Sequence, residues 1–156
     1  MKSFLSKSAL CAIAALALFS APAAVQARQG GPFGVGIIAG DPSGLSGKLW
    51  LNDRNALDFI AGFSLQNDWV NLNCDYVWHD FDLIPVSRGQ LPIYYGMGVW
   101  TSVSNNAAIG ARGIVGIEYL FPSAPLDVFL EIGPGASILP ETGFGLSGGL
   151  GMRFFF

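Results

Sequence analysis

Gly143-Phe144-Gly145-Leu146-Ser147-Gly148-Gly149-Leu150-Gly151-Met152-Arg153-Phe154-Phe155-Phe156 decides how the rest of the chain is read. Taken two at a time, Phe144, Leu146, Leu150, Met152, Phe154 and Phe156 fall on one side of an extended segment. Gly145, Ser147, Gly149, Gly151 and Arg153 fall on the other. A glycine-lined face offers little as a solubilising surface. A strand with lipid outside and a narrow, crowded lumen inside accounts for both faces at once.

The bulk composition points the same way. The chain of 156 residues is one domain's worth. It is 51% hydrophobic, 13% aromatic and only 12% charged, with 21 glycines, and its mean hydropathy is +0.47. A chain this apolar either has a very large core or lives in a membrane. The uninterrupted apolar run of about 18 residues that a membrane helix needs does not occur after residue 27. In hydrocarbon every backbone polar group must be paired, which leaves the closed barrel as the spanning structure.

Residues 1–27 read as a secretory signal peptide cut after Ala27, with Lys2 and Lys7, then an apolar run over 9–19, then Pro22 and a small-residue ending. Cys11 follows Leu10, where a lipoprotein signal needs a small residue, so lipid anchoring is not expected. Removing Lys2 and Lys7 takes the basic count from 8 to 6 against 11 acidic residues, a net charge of −5. That balance attracts no nucleic acid. Cys74 is then the single cysteine, so no internal disulfide can form, and it reads as an apolar, lipid-facing residue.

Residues 28–156 form one domain of eight alternating segments separated by turn residues. They run over 33–40, 45–51, 56–64, 69 to about 80, 92–103, 109–121, 126 to about 137, and the final stretch. The fourth is the clearest: Val70, Leu72, Cys74, Tyr76 and Trp78 face one way, Asn71, Asn73, Asp75 and His79 the other. A helix does not produce that period. An even number of strands of about 9–11 residues suits a tilted membrane barrel, although the first two segments are short for it. The expected fold class is therefore all-β: an eight-stranded antiparallel up-and-down transmembrane barrel.

The charged residues sort onto the inner face: Lys48, Asp58, Asp75, His79, Arg112, Glu118, Asp127, Glu131 and Arg153. An eight-stranded barrel is just wide enough for its own side chains to fill it, so these should form a packed polar plug and not a channel. The tight turn at Pro122-Ser123-Ala124-Pro125 sets a register. If Phe121 opposes Leu126, then Leu120 opposes Asp127, Glu118 opposes Phe129 and Gly116 opposes Glu131. Arg153 reaches Asp127 if the last hairpin centres near Pro140. An ion pair between them is expected, because three inner bases among five inner carboxylates are costly to leave unpaired at low dielectric.

Catalytic and cofactor signatures are weak. Asp127 and Glu131 are four apart on a strand, roughly 13 Å between α-carbons, too far for a paired glycosidase site, with Glu118 nearer to both. His79 is the sole histidine, which excludes a multi-histidine metal site. A nucleophilic Ser64, Ser87 or Ser102 working with His79 would make a lipid A-modifying enzyme, yet no spacing singles one out. Gly143, Gly145 and Gly148 fit G-x-G-x-x-G without the helix that motif requires. Lys48 is followed by Leu49 where a phosphate-binding loop needs Ser or Thr. No catalytic residue, cofactor or metal is assigned.

With the strands laid out, the chain resembles the OmpA/OmpX-like group of small outer-membrane barrels, most closely a functionally uncharacterised branch known from spirochaete proteins. The likeness rests on Pro42-Ser43-Gly44-Leu45-Ser46-Gly47-Lys48 followed by Trp50-Leu51-Asn52, and on Leu91-Pro92-Ile93-Tyr94-Tyr95-Gly96. Tyr119-Leu120-Phe121-Pro122-Ser123-Ala124-Pro125 and Gly143-Phe144-Gly145-Leu146 complete it. Gly151, Phe154 and Phe156 also resemble the C-terminal signal by which such proteins are handed to their insertion machinery. The resemblance implies the bacterial outer membrane and a structural or surface-interaction role without turnover. It brings no catalytic residue. The expected partners are outer-membrane lipid and, during biogenesis, periplasmic chaperones and the insertion machinery, with the barrel a monomer. One departure is that the longest connection, over 82–90, falls on the periplasmic side, leaving little outer-loop surface for an adhesin. The competing architecture is a soluble lipocalin-like periplasmic barrel with an apolar ligand, which requires the polar face to lie outward.

Overall fold

A computed structural model describes residues 30–64, 69–103 and 107–156. The expected signal peptide, and the turns expected over 66–68 and 105–106, lie outside them. The described residues form β1 (Phe33–Asp41), β2 (Gly44–Trp50), β3 (Asn55–Ser64), β4 (Trp69–Asp80), β5 (Ile93–Val103), β6 (Ala108–Leu120), β7 (Leu126–Leu139) and β8 (Gly143–Phe155). Each strand pairs antiparallel with the next, and β1 closes on β8 through Gly34↔Phe155 to Asp41↔Gly148. A closed barrel has no unpaired sheet edge.

The strands form where side chains alternate and stop where turn chemistry interrupts them. Between β1 and β2, Ser43 Oγ accepts from Gly40 N at 3.0 Å and donates to the Gly40 carbonyl at 2.8 Å, pinning a turn around Pro42. Between β6 and β7 the Phe121 N–H donates to the Leu126 carbonyl at 3.1 Å, which locks the opposition of those two residues. β2 has seven residues and β1 nine, whereas β6, β7 and β8 have 13, 14 and 13. β7 runs two residues past the end expected at about 137, because it stays paired with both β6 and β8; a register shift at Ile109/Gly110 absorbs the mismatch with β6.

Sidedness is uniform around the barrel. Ile37, Leu45, Phe63, Leu72, Met97, Val115, Leu130 and Leu150 are all exposed on the outer face, one from each strand. At the end where β1 begins and β8 ends, the outer face is aromatic. Tyr76 meets Trp78 edge-on at 4.7 Å, Trp78 stacks with Tyr95 at 6.1 Å, Tyr119 meets Phe121 at 4.9 Å and Phe154 meets Phe156 at 5.1 Å.

The connection between β4 and β5 folds back over that same end. Gln90 and Leu120 exchange backbone hydrogen bonds at 3.1 and 2.8 Å, and Tyr119 donates its hydroxyl to the Arg88 carbonyl at 3.2 Å. Gly89 sits at φ +69°, the left-handed region that a side chain would strain. Phe81 enters the barrel from this connection and packs against Trp50 and His79, with ring centroids 6.4 and 6.1 Å away. One end of the lumen is thereby stoppered by aromatic rings.

Candidate functional site

The inner face carries the charge, and the register decides which charges meet. All nine residues expected to form the interior polar plug are buried: Lys48, Asp58, Asp75, His79, Arg112, Glu118, Asp127, Glu131 and Arg153. Their hydrogen bonds fall into two groups that the Tyr94 ring joins, since it lies 4.9 Å from Lys48 Nζ and 5.3 Å from the His79 ring while its hydroxyl reaches Glu131. Two clusters are resolved, each built around a basic group that reaches carboxylates from other strands.

The first cluster lies toward the stoppered end. Arg153 Nε donates to Asp127 Oδ2 at 2.9 Å and Oδ1 at 3.2 Å, from directly opposite on the β7–β8 ladder. Its Nη1 donates to Asp58 Oδ2 at 3.3 Å across the lumen, and Nη2 lies 3.7 Å from Glu118 Oε1. The guanidinium also sits 3.9 Å over the Phe129 ring, a contact that favours a planar cation. Lys48 Nζ donates to Glu118 Oε2 at 2.8 Å and lies 3.3 Å from Asp58 Oδ1. His79 Nε2 stands 2.9 Å from Lys48 Nζ and 3.1 Å from Glu118 Oε2, while Nδ1 faces the Arg54 carbonyl at 3.1 Å. Both ring nitrogens are therefore engaged, and Trp50 covers the imidazole at 4.4 Å.

The second cluster sits nearer the middle of the barrel. Arg112 Nε donates to Asp75 Oδ1 at 2.9 Å and Nη2 donates to Asp75 Oδ2, a bidentate pair, and Nη2 also donates to Glu131 Oε1 at 3.3 Å. Tyr94 donates its hydroxyl to Glu131 Oε2 at 2.9 Å. Glu131 thus makes its contacts here and not beside Asp127, while Glu118 sits opposite Phe129, between the two acids along β7. Four residues of spacing on β7 carry Glu131 up the strand, out of reach of the cluster that holds Glu118.

Glycines make the cross-lumen reach possible. Arg112 and Asp75 both pair with Gly98 of the intervening β5, and Tyr94 and Glu131 both pair with Gly116 of β6. With no side chain in the middle strand, the outer two residues meet over its backbone. A Cβ on Gly116 would come within 2.6 Å of the Tyr94 hydroxyl and 2.7 Å of the Leu130 carbonyl. Gly116→Ala is expected to break the Tyr94–Glu131 bond and destabilise the barrel by about 1–3 kcal/mol, read as a lower urea midpoint in detergent. An unchanged midpoint would mean that the lumen is looser than these distances state.

Tyr94 and Asn73 share this interior, although neither was named among the residues of the expected polar plug. With the Asn73 amide oriented so that Oδ1 accepts from Arg112 Nη1 at 3.2 Å, its Nδ2 donates to Asn71 Oδ1 at 2.6 Å. Their inward parity was the available signal; their partners were not readable without the register.

Neither Ser87 nor Ser102 meets His79. Ser87 is exposed in the β4–β5 connection, Ser102 lies at the far end of β5, and the side chain of Ser64 is outside the described residues. Among the described residues no group of three or more His, Cys, Asp or Glu side chains converges as a metal site. Cys74 is a free, exposed cysteine on the outer face. Of the expected C-terminal insertion signal, Phe154 and Phe156 point outward, and Gly151 points inward under Phe129, where a Cβ would approach Phe129 Cε1 to 2.6 Å.

Closure, strand number and a side-chain-filled lumen define the class: an eight-stranded antiparallel β-barrel. Among solved structures the chain is similar to the N-terminal β-barrel domain of Pseudomonas aeruginosa OprF, with a TM-score of 0.54 and 17% identity. The match covers 81% of this chain and 98% of that one. At that identity the likeness speaks for the fold. No protein-family model and no curated protein matches the sequence.

Proposed function

We propose that the chain is an integral outer-membrane β-barrel with a structural or surface-interaction role, without turnover and without an open pore. The observation that carries this reading is the sidedness: large apolar side chains are exposed on every strand, while Lys48, Asp75, Glu118 and Asp127 are 0% exposed inside. Water-soluble monomers rarely expose a contiguous apolar patch larger than a few hundred Å², and here the apolar surface encircles the molecule. A soluble lipocalin-like carrier needs the reverse arrangement. The aromatic girdle at the end where β1 begins and β8 ends supports an interfacial level there.

Absence of conduction follows from packing, since Arg153 and Arg112 lie across the lumen and Trp50 and Phe81 stopper it below. Outer-membrane lipid is then the permanent partner. The outward Phe154 and Phe156 belong, in the same reading, to the surface presented to the insertion machinery, and periplasmic chaperones would carry the chain there as a monomer. The expected result of membrane fractionation is that the protein resists carbonate and urea and is released by detergent, and that unboiled and boiled samples migrate differently on a gel. Release without detergent overturns the proposal.

A further inference from the structure

The two ends of the lumen differ. Aromatic rings close the end where β1 begins and β8 ends, whereas toward the opposite end the described residues line a cavity of about 320 Å³, at the small end of the range for ligand sites. Asp41, Asn71, Asn73, Trp100, Arg112 and Ser147 line it. Its floor is the second charged cluster: Arg112 Nη1 faces up toward Asn73 at 3.2 Å and toward Ser147 Oγ at 3.5 Å, and the amide chain continues to Asn71.

Trp100 forms the wall. A Cβ on Gly110 would lie 2.5 Å from its Cε2 and 2.6 Å from its Nε1, so the indole rests against bare backbone on one side. Gly135 leaves the region beside the N–H clear, with its own Cβ position 3.5 Å from Nε1. Among the described residues the indole N–H has no hydrogen-bond partner, although a half-buried Trp usually finds one.

The charge balance selects the kind of molecule that fits. Arg112 is already claimed by Asp75 and Glu131, so it has no unpaired charge for an anion, and Asp41 at the rim adds a negative group. What remains is a flat apolar ring face beside two amides and a carboxylate. We propose that this cavity binds an uncharged, hydroxyl-rich ring of monosaccharide size. Trp100 lies against the ring's C–H face, while Asn71, Asn73 and Asp41 take the hydroxyls. The site is a property of the folded lumen and stands whether or not the membrane reading does.

The test uses the full chain folded in detergent with ¹⁵N-labelled tryptophan, the Trp100 indole signal being identified by its disappearance in Trp100→Phe. Glucose and N-acetylglucosamine are the probes. A saturable shift of the Trp100 signal by at least one sugar is expected, with the apparent affinity falling about tenfold in Asn71→Ala, the size of effect that one lost hydrogen bond produces. Folding of each variant is checked by heat-dependent gel migration, and Asn71→Ser replaces Asn71→Ala if the latter fails that check. A Trp100 signal indifferent to both sugars, or a shift that Asn71 variants leave unaltered, overturns the proposal. So does a response to choline in place of the sugars, which would make the cavity an organic-cation site.

Discussion

Arg153→Met is expected to be the most damaging single substitution in the barrel interior, lowering stability by about 3–5 kcal/mol, because it leaves buried carboxylates without their shared cation. The loss is large beside the 5–15 kcal/mol of a typical domain. Four partners converge on this side chain: Asp127 through two bonds, Asp58 through one, Glu118 by proximity and Phe129 by its ring face. Glu118 and Asp58 keep Lys48 when the guanidinium goes, since Lys48 Nζ lies 2.8 and 3.3 Å from them. Asp127 keeps no ion pair with any described residue. It is therefore the carboxyl that loses most, and Arg153→Met combined with Asp127→Asn should be more stable than Arg153→Met alone by about 0.5–3 kcal/mol. Arg153→Lys should fall between, as an ammonium cannot reproduce a planar fork bridging three strands. Urea titrations in lipid vesicles, with folded protein counted by gel migration, measure all three. If the double variant shows simple additivity, Asp127 and Arg153 are not coupled and the interior is wetter than the distances imply.

That pair also shows how far the sequence could be read. Inward parity was legible everywhere, because period-two alternation needs no knowledge of neighbours. Register was legible where a short turn fixed it: Phe121 opposing Leu126 places Leu120 against Asp127 and Gly116 against Glu131, which is the β6–β7 ladder. A hairpin centred at Pro140 places Asp127 against Arg153, which is the β7–β8 ladder. The division into two clusters was not legible. Asp75 and Arg112 sit on β4 and β6, and their meeting over Gly98 depends on the β4–β5 register, across a connection of 12 residues that fixes nothing locally. Tyr94 was on the inner face by parity, but its bond to Glu131 depends on Gly116 standing between them in both ladders at once. Contacts that span three strands require two registers together, and the sequence offered one at a time. The cavity beside Trp100 is a still less local property, since it reflects where Gly135 on β7 and Gly143 and Gly145 on β8 leave the lumen unfilled.

The outer face supplies the sharpest separation between a membrane barrel and a soluble one. Met97 lies at the middle of β5 and is 65% exposed, and Val103 lies at the end of the same strand on the same face at 53%. For a water-soluble protein, Met97→Arg and Val103→Arg are both ordinary surface changes, within about 0.5 kcal/mol of neutral. In a bilayer the two should differ steeply. Arginine at the midplane of a barrel strand destabilises by about 2–4 kcal/mol, and near the interface by about 0–1 kcal/mol. The long side chain at position 103 has only a short distance to travel to reach headgroups and water. Met97→Arg is therefore expected to lower the unfolding free energy in lipid vesicles by about 2–4 kcal/mol, with Val103→Arg costing at most about 1 kcal/mol. The ordering should weaken in detergent micelles, whose apolar layer deforms more easily around a charge. Equal and negligible effects at both positions would remove the lipid from the account of this surface, and with it the reason for an apolar exterior around a charged core.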